Sequence, residues 1–253
     1  SLATVVNAVD GGPALGSKLL LRSDGTVSGS FGNAEFDAQV IEVSRKVADI
    51  GSNESFNLSD GTEVFVDGFT TPPTLVMVGG GHVGKATADL AYSLGYRVYL
   101  VDDRPEFCNE ERFPYAEERV IETYDKWTDH LDLNVNSFVV VATRGHRFDD
   151  MALESALKTR ARYIGVLGSR RKTIMIYRRL LQQGVPLERI KEVYAPIGLN
   201  IGAVEPEELA VSIMSEIIMV RRGGEGGQMQ MGDWYIDRAA EIVERTPDST
   251  VEV

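Results

Sequence analysis

Cysteine is almost absent from this chain. Cys108 is the single thiol in 253 residues. No disulfide can form within the chain, and a reducing, cytoplasmic compartment fits best. Histidine is nearly as scarce: His82, His130 and His146 are scattered, and with the lone cysteine they make no ligand spacing, so no metal site is expected. Positive charge is in short supply. Lys and Arg number 26 against 38 Asp and Glu, a net charge of -12. Such a surface repels a phosphate backbone and an anionic membrane face, so neither nucleic acid nor membrane is expected as a partner. No apolar run approaches the ~20 residues that span a bilayer. No basic region followed by an apolar stretch opens the chain, so no secretory signal is expected. The length suits one large domain or two modest ones.

Glycine, by contrast, is plentiful, with 25 residues, and its placement divides the chain. Over residues 1–70, short β-rich runs (4–9, 18–23 and 63–69) alternate with Gly-rich breaks. Asp24-Gly25 and Asp60-Gly61 are tight-turn pairs. Between them, Phe36, Val40, Ile41, Val43 and Val47 recur at helical spacing. This predicts a small α+β domain. "FTTPP" (69–73) reads as a hinge stiffened by two prolines.

From residue 74 the pattern changes. Apolar runs at 74–78, 97–101, 119–123, 137–142 and 162–167 show almost no alternation, as expected of strands covered on both faces. Helix-like segments at 84–94, 149–159 and 170–183 separate most of them. This rhythm predicts a doubly wound parallel (Rossmann-like) α/β sheet. A further helix at about 206–221 opens with Pro206, Glu207 and Glu208. The predicted units are 1–70, 74–222, and a Gly-rich loop with a final helix at 223–253.

The densest glycines lie in "LVMVGGGHVG". Gly79, Gly81 and Gly84 match G-x-G-x-x-G after a strand and before a helix, and the next strand ends in Asp102 and Asp103. That is the full dinucleotide-binding context. The first glycine permits the turn, the second admits a phosphate, and the third lets helix and strand approach. The helix N-terminus then offers unpaired N–H groups to an anion. Candidate contacts are Gly79, Gly80, Gly81, His82, Val83 and Gly84. Asp102 is expected to accept hydrogen bonds from ribose hydroxyls, and nearby Arg104 blurs any preference between NAD and NADP.

Two more loops fall at carboxyl ends of predicted strands, where ligands bind in open α/β sheets. "ATRGHRFDD" supplies Thr143, Arg144 and His146. "GSRRK" supplies Gly168, Ser169 and Arg170, with Arg171 and Lys172. Cations at a helix start oppose its dipole, so a second phosphate or another oxyanion would explain them; a solvated basic turn would also do so. Cys108 lies among Asp103, Glu106, Glu110 and Glu111, which blunt a thiol's reactivity.

Taken together, "GGGHVG", "VDDRPEF...ERFP", "TRGHRFDD", "YIGVLGSRRK" and "PIGLNIGAVEPEELAVSIMSEI" resemble the xanthine dehydrogenase accessory factors, the XdhC/CoxI family. The resemblance covers about residues 74–222, and residues 4–35 look like the family's small first domain. It implies a non-catalytic chaperone that binds the molybdenum cofactor (molybdopterin), protects it while a sulfido ligand is installed, and passes it to a molybdenum hydroxylase apoenzyme. A cysteine desulfurase is a further implied partner, and a homodimer fits both the resemblance and the frequency of two-fold assemblies. The first domain departs from the family at "GSFGNAEF", where Asn33, Ala34 and Glu35 replace a Cys-Leu-Glu-like segment, and at Leu15, where the family often has Arg. This protein would therefore hold the metal end differently or not at all. Two alternatives stay open: an NAD(P)-dependent oxidoreductase, and a degenerate module that recognises a protein partner.

Overall fold

The computed structural model describes residues 1–230 and 232–245, without the side chains of His146, Arg147, Ala239 and 243–245.

Five antiparallel strands build the first unit: β1 (Leu2–Asn7), β2 (Lys18–Leu21), β3 (Val27–Gly29), β4 (Asn53–Asn57) and β5 (Glu63–Asp67), in the order β3-β2-β1-β5-β4. Alternate residues Ala3, Val5, Leu19, Val64 and Val66 face one side, as the two-residue period of a strand requires. The helix α1 (Ala34–Ile50) covers that side with Val40, Ser44 and Val47. Asn33 caps its start by accepting from the Glu35 N–H at 2.8 Å, and Gly51 ends it in the left-handed region at φ 60°. Both Asp-Gly turns form: Asp24 and Asp60 each accept the backbone N–H two residues on.

The second unit is a five-stranded parallel sheet. Its strands are β6 (Thr74–Val78), β7 (Arg97–Val101), β8 (Glu118–Val120), β9 (Ser137–Val141) and β10 (Tyr163–Val166), in the order β10-β9-β6-β7-β8. Every residue of β6 and β9 is buried. One face packs under α3 (His146–Ala156) and α4 (Arg170–Gln182) with Trp127, Leu153, Ile176 and Leu180. The other packs under α2 (His82–Ser93) and α6 (Pro206–Arg222) with Ala88, Ala91, Ile213 and Ile217. A buried carboxylate fastens α6: Glu216 accepts from the Tyr163 hydroxyl at 2.5 Å and from the Gly198 N–H at 3.0 Å. The short α5 (Leu187–Lys191) and α7 (Asp233–Arg245) complete the described α-helices.

The chain leaves β6 towards β7 on one side and later returns to place β9 on the other. The strand order therefore reverses at β6, and a crevice opens beyond the carboxyl ends of β6 and β9. Between β7 and β8 a three-residue 3-10 turn, Pro105–Phe107, takes the place of a crossover helix. That segment folds over the glycine-rich loop.

Candidate cofactor-binding site

The four glycines of the loop have different reasons to be there. Gly79 sits at φ +116°, a conformation L side chains avoid, and a Cβ there would lie 2.2 Å from the Ala142 carbonyl oxygen. A Cβ at Gly84 would lie 1.9 Å from the Gly79 carbonyl oxygen, so helix α2 rests directly on the exit of β6. A Cβ at Gly80 would lie 2.1 Å from the carbonyl oxygen of Phe107. Gly81, in extended backbone at the cap of α2, has nothing within 4 Å. Three glycines are thus demanded by the chain's contacts with itself. Only Gly81 faces open space.

No side chain caps α2. Its first intrahelical bond runs from the Lys85 N–H to the Gly81 carbonyl at 2.8 Å. The amides of His82, Val83 and Gly84 therefore lack intrahelical partners and, with the positive end of the helix dipole, present a surface whose polarity suits an anion.

Asp102 turns inward, contrary to the expectation that it faces a ribose. Its side chain is fully buried. Oδ2 accepts from the Gly80 N–H (2.8 Å) and from Arg104 Nη2 (3.0 Å); Oδ1 accepts from the Arg104 amide (3.1 Å) and Arg104 Nε (2.9 Å). Burial pushes this carboxyl up, but the Arg104 guanidinium and the two amides outweigh it and hold the group below the ordinary carboxylate range. The Arg104 guanidinium carbon lies 3.7 Å over the Phe107 ring. Asp103 reaches across the crevice to Arg144 at 2.6 Å, and Arg144 stacks 4.7 Å over Phe148.

The β9 and β10 loops are tied together in the same way. Thr143 donates its N–H (3.1 Å) and hydroxyl (2.8 Å) to Asp149, which is fully buried. Lys172 Nζ lies 2.5 Å from the other Asp149 oxygen and also donates to the Leu167 carbonyl at 2.9 Å. Lys172 is therefore a structural cation. Ser169 caps α4 by accepting from the Lys172 N–H at 3.3 Å, beside Gly168, while Arg170 and Arg171 stay exposed. The His146 side chain lies outside the described residues. His130 is away from the crevice, 3.5 Å from Glu122.

A groove of about 610 Å³ opens beside the glycine loop, between α2 and α6. His82, exposed at the first turn of α2, lines it together with Lys85, Asp89, Arg112 and Glu207. Lys85 holds both Asp89 oxygens at 2.5 Å, and Arg112 donates to the Gly80 carbonyl at 3.0 Å. The volume suits a small organic molecule. Sequence reasoning did not single out Lys85, Asp89 or Arg112; the i,i+4 spacing of Lys85 and Asp89 on the helix that follows the fingerprint was the available signal. Cys108 is buried against the Leu100 and Val120 carbonyls, and burial first of all pushes its thiol up to about 11.

Residues 75–217 match the model of the XdhC Rossmann domain, and residues 1–57 match that of the XdhC and CoxI family. The chain belongs to this family. Relatives include an uncharacterized protein, YqeB, of Escherichia coli, 31% identical over 90% of this chain and 45% of its own length. A Bacillus subtilis protein described as a probable xanthine dehydrogenase subunit is 30% identical over 78% of this chain and 56% of its own. The chain thus spans about half the length of these curated relatives. A crystal structure from Bacillus halodurans, described as a xanthine dehydrogenase, superposes with a TM-score of 0.53 at 19% identity, covering 92% of this chain and 94% of that one. That likeness concerns the fold. The family model ends at Ile217, within α6, so it includes both walls of the groove.

Proposed function

We propose that this protein serves the maturation of a molybdenum hydroxylase of the xanthine dehydrogenase type in the cytoplasm. It binds the molybdenum cofactor as cargo and delivers it to the apoenzyme, and a cysteine desulfurase supplies sulfur to the bound cofactor. It acts as a chaperone rather than a catalyst, working alone or as a homodimer.

The observation that carries this reading is the uncapped start of α2 with Gly81 open before it. A phosphate tail fits there, held by the amides of Gly81, His82 and Val83. The groove between α2 and α6 offers the adjoining space for a polar heterocycle, with His82, Lys85 and Arg112 along it. The family match and the name of the Bacillus subtilis relative supply the enzyme class. The G-x-G-x-x-G loop alone also fits an NAD(P)-dependent oxidoreductase, in which the cofactor carries the chemistry.

Calorimetric titration with the molybdenum cofactor and, side by side, with NADH separates the two. The carrier reading expects cofactor binding that is lost in Gly81→Val while the fold is kept. Micromolar NADH binding with no cofactor binding would overturn it.

A further inference from the structure

The fingerprint seats a dinucleotide by dividing the crevice. The pyrophosphate lies on the helix start, and a ribose lies over the second strand with its hydroxyls on the acid at that strand's end. In this protein each group on the ribose side already has an internal partner. Asp102 is fully buried, with four hydrogen bonds on its two oxygens. The Gly80 N–H, second in the loop, is spent on that carboxylate. The carbonyl of Phe107 lies on Gly80 so closely that even a methyl there would overlap it. Arg112 adds a strap from the far end of the same segment to the Gly80 carbonyl. Above them the Asp103–Arg144 pair spans the mouth.

We infer that residues 102–112 close the ribose side of the crevice, so that the site selects its ligand by a phosphate on Gly81 and the start of α2, with no nucleoside seated over β7. The ligand class is a phosphate monoester whose body extends into the α2–α6 groove. This deepens the cofactor-carrier function proposed above and rests on it for the identity of the monoester. The energetics favour closure. Freeing Asp102 for a ribose would strip a buried carboxylate of its guanidinium partner, and breaking such a buried pair is far more damaging than opening one at the surface. The Asp103–Arg144 pair is partly exposed and contributes little to that barrier.

Two measurements on the whole chain test it. In the first, ADP-ribose, which carries the pyrophosphate and ribose diols, and the molybdenum cofactor are titrated calorimetrically. ADP-ribose should bind at least roughly tenfold more weakly than the cofactor, since its diols find no free acceptor. Micromolar ADP-ribose binding that is lost in Asp102→Asn overturns the inference. The second is amide hydrogen exchange read by NMR. The Gly80 amide should be protected without ligand, and cofactor should add protection at Gly81, His82 and Val83. A Gly80 amide that exchanges freely until ADP-ribose is added overturns closure. If the Gly80 amide is protected and neither ligand binds, closure stands and the cofactor-carrier reading falls.

Discussion

Adjacent glycines in the loop, Gly80 and Gly81, should respond in opposite ways to the same added methyl. At Gly80 the methyl would meet the Phe107 carbonyl oxygen at 2.1 Å. That neighbour is backbone, pinned by Arg104 stacking and by the strap from Arg112, so it cannot swing aside. Overpacking of this kind costs about 1–3 kcal/mol. At roughly 2–4 °C per kcal/mol for a chain of this size, Gly80→Ala should lower Tm by about 2–12 °C. At Gly81 the methyl meets nothing within 4 Å, and the backbone at φ -67° suits alanine. Replacing a glycine N-cap by alanine costs about 0.5–1 kcal/mol, and restricting the unfolded chain returns about 0.4–1 kcal/mol, so the net should stay within about 0.6 kcal/mol. Ligand binding reverses the order of severity. The Gly81 methyl stands where a phosphate must approach, so Gly81→Ala should weaken cofactor binding with its Tm unchanged. Thermal unfolding followed by circular dichroism, paired with calorimetric titration, reads both. If the two variants lose the same Tm, or Gly81→Ala binds cofactor as tightly as the wild type, this division of roles is wrong.

Other consequences can be checked directly. Lys172→Met leaves Asp149 buried and unpaired and should cost about 3–5 kcal/mol in urea denaturation, whereas pairing it with Asp149→Asn should recover much of that; equal losses would show that the pair is not coupled. Cys108, with its thiol pushed up to about 11, should be about one part in a thousand thiolate at pH 8 and resist iodoacetamide until the protein unfolds, so prompt labelling of the native chain would refute its burial. The Asp102 carboxyl is held below its unfolded value. Its stabilisation is therefore complete above about pH 4 and is lost as pH falls through the folded value, so the stability gap between wild type and Asp102→Asn should shrink in acid; a gap that widens there contradicts the assignment. Finally, Arg104, Arg144, Lys85 and Lys172 are each neutralised by a neighbouring carboxylate, Arg112 in the groove is engaged by the Gly80 carbonyl instead, and the proposed phosphate contacts are backbone amides. Cofactor affinity should fall less than about tenfold between low and moderate salt, and a hundredfold loss would point to free cations instead.

Which parts of the fold were legible depended on what holds each strand. The runs at 74–78 and 97–101 coincide with β6 and β7 to the residue, because β6 is buried throughout and β7 at Val98, Leu100 and Val101, which leaves mostly apolar stretches between the turns. β3 ("VSG") and β4 ("NESFN") escaped notice. They are edge strands whose residues are exposed or only half-buried, and hydrogen bonds from β2 and β5 define them. The helix α5, five residues long, is too short to show a period. The strand expected at 119–123 stops at Val120, since β8 pairs only with β7 over three residues.

The site was legible in its position and only partly in its roles. Gly79, Gly81 and Gly84 announce a loop that brings backbone close to something, and the alternation of runs places that loop at a strand's carboxyl end. Neither feature says whether the approaching group is a ligand or the chain itself. Here the chain itself takes Gly80, through the Phe107 carbonyl, and leaves Gly81, one residue on, facing open space. The same ambiguity governs the acid. Asp102 stands where a ribose acceptor stands in this fingerprint, yet Arg104 is two residues away, with Pro105 opening the turn that follows. Such a turn curls the guanidinium back onto both carboxylate oxygens, and the acid becomes a bracket that fixes the loop. The groove could not be read at all, because α2 and α6 lie more than 110 residues apart and meet only once the sheet has formed. An acid beside a glycine-rich turn thus points to ribose only when no guanidinium within the following turn can claim it first.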